Sequence, residues 1–196
     1  EIKKKYPFIL ILDEAHGTGV LGNSGAGLAE ETGTLNDIDI IIGTLGKSLA
    51  GMGAYVLTNL LPIIPYLTNK AGEYIYSTFL SPHQTGVALA TFDIVKNASE
   101  KRKSLKLTSG WLRNKLAEYI DVQTNYNTPI IPIIIGDIAA TQKLQAIFLN
   151  KGIIVGAVRP PTVPQGSSRI RISLNSELTK EKLEPLISII KEYSKK

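Results

Sequence analysis

Four side chains stand where chemistry could be done: Asp13 and His16 in DEAHGTG (13–19), and Thr44 and Lys47 in GTLGKS (43–48). Asp13 closes an apolar run at what reads as the carboxyl end of a strand, the edge where open α/β sheets bind ligands. His16 follows in the same loop, where Gly17 and Gly19 let the backbone come close to a bound group. A lone carboxylate, with no second acid placed for a metal, suits a cationic ring nitrogen. Lys47 follows another apolar run, between Gly46 and the small-residue stretch SLAGMGA (48–54). Such surroundings would partly desolvate the amine and make it a plausible Schiff-base nucleophile.

The same letters invite a different reading, because an apolar strand ending in DEAH and a nearby GKS suggest a nucleotide-driven motor. A phosphate-wrapping loop needs G-x-x-x-x-G-K-[ST], with glycine six residues before the lysine. That position is Ile41, and the acidic strand precedes Lys47 instead of following it. The motor reading fails. Strand–Asp–x–x–His followed by strand–Thr–x–x–Lys is instead the pairing that pyridoxal phosphate chemistry requires. One group holds the ring-nitrogen proton, a lysine carries the aldehyde, and Thr44 is placed to offer a hydroxyl to the phosphate. Taken singly, Asp13 could cap a turn and Lys47 could be a surface lysine; together, at two strand ends amid glycines, they favour the cofactor.

The elements that must position these groups follow from pattern. YPFILIL (6–12), IDIIIG (38–43) and GAYVLT (53–58) read as strands, the first buried on both faces as in a parallel sheet, and YIYSTF (74–79) as a fourth. Ser81, Pro82 and Gln84 predict a helix start running to about Lys101, with Val87, Ala90, Ile94 and Ala98 on one face. A second helix, about 102–120, carries Leu105, Leu112, Leu116 and Ile120. Beyond a turn at TNYNTP (124–129), the pattern predicts strands at 130–135, 153–158 and 169–174 and helices at 138–150 and 180–194. A rigid loop, RPPTVPQGSS, occupies 159–168, and Pro185 weakens the start of the last helix. The texture breaks near 105–125, separating an α/β part from a smaller α+β part.

Bulk properties narrow the class. The 196 residues are 43% hydrophobic and 20% charged, with a formal charge of +5. The basic clusters, Lys3–Lys5 and Lys101–Lys103, are not interleaved with aromatics, so no nucleic-acid partner is expected. Without cysteine and with only His16 and His83, neither a disulfide nor a thiolate or histidine zinc site is available. No apolar stretch reaches the length of a membrane span and no signal peptide opens the chain, so no membrane partner and a cytoplasmic location are expected.

Four stretches, DEAHGTGVLG (13–22), GTLGKSLAGMGAYV (43–56), YSTFLSP (76–82) and RPPTVPQGSSRIRISL (159–174), resemble in order the α-oxoamine synthase family. Its members are pyridoxal phosphate enzymes of aminotransferase fold type I that condense an amino acid with an acyl-CoA and release CO2. The resemblance implies an α/β fold: part of a large domain with a mainly parallel sheet (1–110) and a C-terminal α+β small domain (111–196). It implies that Lys47 carries the cofactor and removes the α-proton, that Asp13 pairs with the ring nitrogen, and that His16 meets the phenolic oxygen. Thr44 would reach the phosphate, joined by Ser77 and Thr78 across a homodimer with shared active sites. Arg171 would hold the substrate carboxylate and Thr162 would touch substrate, unless its hydroxyl only satisfies nearby backbone. Arg169 is assigned to the opposite strand face from Arg171, in a structural pairing, and His83 to the start of its helix. RPPTVP is nearest to the members that join L-alanine to a pimeloyl thioester of CoA or acyl-carrier protein, with the 2-amino-3-ketobutyrate CoA ligases and 5-aminolevulinate synthases as the alternatives within the family. The ring-stacking side chain and the phosphate-binding glycine loop of the family lie in an N-terminal half with no counterpart before Glu1. A C-terminal portion of a longer protein, one partner of a separate N-terminal half, or an inactive remnant are the expectations this leaves.

Overall fold

A computed structural model describes residues 1–124 and 126–195; the turn expected at 124–129 includes Asn125, which lies outside the described residues. The chain divides into two compact units, Glu1–Arg102 and Lys103–Lys196.

In the first unit a short helix, α1 (Ile2–Lys5), precedes β1 (Ile11–Asp13). A glycine-rich loop then leads to α2 (Leu28–Glu31), and β2 (Ile40–Thr44) and β3 (Ala54–Thr58) follow. The sheet order is β1-β2-β3, with β1 and β2 parallel and β3 antiparallel to β2. The first strand is shorter than the apolar run predicts, and it is not buried on both faces: Phe8, Ile9 and Ile11 are exposed, as are Ile42, Val56 and Leu57. An apolar run reports only a tendency to be covered, and what covers it must come from elsewhere in the fold.

Helices α3 (Ile63–Lys70) and α4 (Gly72–Ile75) come next. The expected fourth strand, YIYSTF, is thus not a strand: Tyr74 and Ile75 end α4, and 76–79 join no ladder among the described residues. Alternating apolar residues make a strand only where a neighbour accepts their backbone hydrogen bonds. The next helix, α5 (Pro82–Lys96), starts as its signal predicts, with the Ser81 hydroxyl accepting the Gln84 N–H at 3.3 Å. It stops at Asn97, earlier than expected. Its inward face is also rotated from the predicted one: Ala88 is buried with Thr91 and Val95 half-buried, while Ala90 and Ile94 face water. A small core of Leu45, Leu49 and Ala88 forms there, joined by Tyr55 and Val95.

Helix α6 (Ser99–Ala117) runs through the division between the units. In the second unit β4 (Ile130–Gly136), α7 (Ile138–Asn150), β5 (Gly156–Val158), β6 (Ser168–Ser173) and α8 (Lys180–Tyr193) follow the expected order, with β5 shorter than predicted. The antiparallel sheet runs β4-β6-β5. Ile131 lies opposite Ile172 and Ile133 opposite Ile170, and these four pack with Leu112, Leu116, Leu144, Phe148, Leu186 and Ile190 from the helices. Asp137 caps α7 through the Ala140 N–H (2.7 Å) and Thr179 caps α8. Trp111 packs against the margin of this core, with the Lys180 ammonium 5.5 Å from its ring centroid.

Candidate active site

Parallel pairing of β1 and β2 sets Asp13 opposite Ile42, so Asp13 and Thr44 both leave the sheet at its carboxyl edge. The Glu14 N–H donates to the Ile42 carbonyl (2.7 Å), holding the start of the DEAH loop against β2. Asp13 is exposed and one carboxylate oxygen, Oδ1, accepts the Ala15 N–H at 2.8 Å. That bond makes a turn and orients the carboxylate while Oδ2 stays available to a ring N–H. His16 is exposed in the turn that follows.

The loop after β2 is tightly folded. Leu45 N–H donates to Gly53 O (2.9 Å), Gly51 N–H to Leu45 O (2.7 Å) and Ala50 N–H to Lys47 O (3.1 Å), while Ala50 takes a left-handed φ of 49°. Leu45 and Leu49 sink into the core, so the segment between them, Gly46–Ser48, is held from both ends. Lys47 itself is exposed, not partly desolvated as its neighbours suggested. Glycine and other small residues leave backbone close by but supply little surface to cover an amine. Thr44 Oγ1 donates to Gly53 O (3.1 Å) and accepts the Gly46 N–H (3.2 Å), so its O–H must turn to meet a phosphate oxygen.

Glu14, beside Asp13, carries no signal that the sequence reading used, yet it is 2% exposed. Its Oε1 accepts the Ala29 N–H at 2.9 Å, and its carboxylate occupies space that a Cβ on Gly17 or Gly27 would fill. Those two glycines were the available sign of a side chain folded back into its own loop. Arg102, buried, closes the far side by donating to Asn23 O (2.6 Å) and Val95 O.

Ser77 and Thr78 are exposed beyond α4. In the second unit Arg171 is exposed on β6, opposite Pro132 on one side and Gly156 on the other, and Thr162 is exposed with its N–H bonded to Arg159 O (3.1 Å). Arg169 does not face away from Arg171. A strand alternates every residue, so positions two apart share a face; Ser168, Ile170 and Ile172 are the buried set, and Arg169 lies on the Arg171 face with Nε donating to Ser167 O (3.0 Å). His83 occupies the first turn of α5. Among the described residues no cluster of His, Asp or Glu is arranged to hold a metal, and no helix is long and apolar enough to cross a membrane.

The donor set in the first unit fits pyridoxal phosphate: a carboxylate with one free oxygen for a ring N–H, a primary amine for an aldehyde, and a hydroxyl for the phosphate. The comparisons agree with that chemistry. The family model for aminotransferase class I and II matches residues 1–190. The chain belongs to that family of pyridoxal phosphate-dependent enzymes, and its fold is part of their fold type I. Within it the likeness is to α-oxoamine synthases. The 8-amino-7-oxononanoate synthase of Lysinibacillus sphaericus is 40% identical over 195 residues, covering 100% of this chain and 50% of that protein. Serine palmitoyltransferase of Sphingomonas wittichii superposes with a TM-score of 0.88 at 28% identity, over 99% of this chain and 49% of that one. The 8-amino-7-oxononanoate synthase of Francisella tularensis superposes at 0.82 and 29% identity, over 99% and 57%. The chain spans about half the length of the curated relatives it matches.

Proposed function

We propose that this chain carries the lysine-bearing half of an 8-amino-7-oxononanoate synthase. The reaction condenses L-alanine with pimeloyl-CoA, or its acyl-carrier-protein thioester, to 8-amino-7-oxononanoate, CoA and CO2 in biotin biosynthesis. The observation that carries this reading is the 38–40% identity across the whole chain to synthases of that name, with Asp13 at the carboxyl end of β1 and Lys47 in the loop that follows its parallel neighbour β2. Pyridoxal phosphate, when bound, supplies the electron sink that stabilises negative charge at the amino acid's α-carbon. Asp13 keeps the ring nitrogen protonated through a charge-assisted hydrogen bond. His16 donates to the phenolic oxygen, and the Thr44 hydroxyl, with Ser77 and Thr78 of a second copy in a homodimer, binds the phosphate. The Lys47 amine would hold the aldehyde of the bound cofactor and, when free, would serve as the base that takes the α-proton. Arg171 grips the substrate carboxylate by its planar fork, and Thr162 contacts the acyl substrate. Residues 1–110 serve as the cofactor-binding domain and 111–196 as the small domain. The remaining half of the site belongs to an N-terminal half, in the same polypeptide or a separate one, and the assembly works in the cytoplasm.

Borohydride reduction of the purified chain with pyridoxal phosphate, followed by peptide mapping, tests the reading. A pyridoxyl adduct confined to Lys47, absent in Lys47→Ala, is the expected result. With the N-terminal half supplied, alanine and pimeloyl-CoA should release CO2 and CoA, and Lys47→Ala should abolish turnover. Full turnover in that variant would end the proposal.

A further inference from the structure

The Lys47 loop is tied to the loop of Asp13 and His16 by a residue outside the donor set above. Ser48, adjoining Lys47, donates its hydroxyl to the Thr18 carbonyl at 2.6 Å. Thr18 is buried, and its own hydroxyl lies 3.0 Å from that of Tyr55 on β3. Two glycines make the arrangement possible. A Cβ on Gly19, which has a left-handed φ of 80°, would stand 2.5 Å from Ser48 Oγ, and one on Gly43 would stand 2.2 Å from Tyr55 Cζ. Together with the bond from Glu14 N–H to Ile42 O, segment 14–18 is fastened to β2 at its start and to the Lys47 loop at its end.

We propose that Ser48 is a positioning residue. Its bond to Thr18 sets the offset between the two loops, so that a pyridoxal ring held at its nitrogen by Asp13 presents its aldehyde within reach of Lys47. This rests on the cofactor reading above. The hydroxyl is dispensable for folding, because Leu45 and Leu49 anchor the loop in the core on either side. Removing it leaves the Thr18 carbonyl without this donor and frees the exposed Lys47 segment to shift against the Asp13 loop.

The test compares wild type, Ser48→Ala and Lys47→Ala by two readouts. Without cofactor, amide hydrogen exchange is followed in segments 14–19 and 46–51. With pyridoxal phosphate, borohydride trapping times adduct formation at Lys47. Loss of one partly buried hydrogen bond predicts about tenfold faster exchange in both segments of Ser48→Ala, and about five- to tenfold slower adduct formation at Lys47. Exchange in the second unit should not change. Unaltered exchange in 14–19 would overturn the inference. Faster exchange with wild-type adduct kinetics would reduce Ser48 to a structural brace and overturn its positioning role. No Lys47 adduct in wild type, with the N-terminal half supplied as well as without it, would overturn the cofactor reading, and the positioning role with it, while the exchange data still report whether the loops are coupled.

Discussion

At the scale of single residues, the chemistry divides between groups held and groups left open. Asp13 and Thr44 are each oriented by hydrogen bonds with backbone groups, while Asp13, Lys47 and Arg171 are all exposed. The two arginines of RIRISL make a sharp test, since both lie on the same strand face and only position 171 matches the carboxylate-binding position implied by the family resemblance. On the proposed function, and with the N-terminal half supplied, Arg171→Ala should raise KM for alanine by about ten- to a hundredfold, the scale of a lost charge-assisted fork. Arg169→Ala should leave it within about twofold of wild type, because its Nε is occupied by its own loop. An unchanged KM in Arg171→Ala, or an equal rise in both variants, would remove the assignment. The placement of Asp13 and Lys47 after adjacent strands was legible because each follows an apolar run, a signal carried within a few residues. The Ser48–Thr18 and Thr18–Tyr55 contacts join positions 30 and 37 residues apart, and no local spacing announces them.

At the scale of elements, legibility tracked how local the determinant is. Helix α5 starts where Ser81 and Gln84 place it and α7 spans the predicted 138–150, because caps and terminating glycines act on their own turn. The inward face of α5 was misread, since Ala90 and Ile94 satisfy the same periodicity as Ala88, Thr91 and Val95, and only the neighbour decides between them. YIYSTF failed for the same reason in strand form. The glycine-rich loop between β1 and α2 depends on a charge. The Glu30 carboxylate accepts the Ser24 N–H (3.0 Å) and the Ala26 N–H (2.9 Å). Partial burial acts to raise its pKa, but those donors and the nearby Arg102 prevail and hold it below the ordinary glutamate value. A depressed folded-state pKa gives stability that is complete above the ordinary carboxylate range and is lost as pH falls through the folded value. Protection of the amides at 22–26, taken relative to their intrinsic exchange rates at each pH, should therefore fall on acidification before that of the second unit, and Glu30→Gln should flatten that response. A pH dependence that survives the substitution would place the acid-sensitive group elsewhere.

At the scale of the whole chain, the two units differ in how much apolar surface each encloses. The fully formed cluster in the second unit contains 16 buried residues, while that in the first contains three, among the described residues. Tyr76, Phe79, Leu61 and Leu89 stand open in the first unit. Stability follows buried apolar area, so denaturant should melt residues 1–102 at lower concentration than 103–196, in two resolved transitions by hydrogen exchange. A single coincident transition across both segments would contradict this. The chain's one tryptophan, Trp111, packs at the margin of the larger cluster beneath the Lys180 ammonium. Its fluorescence is therefore a built-in gauge of the second unit alone: a sample whose lysine-bearing unit has come apart will still glow as though intact.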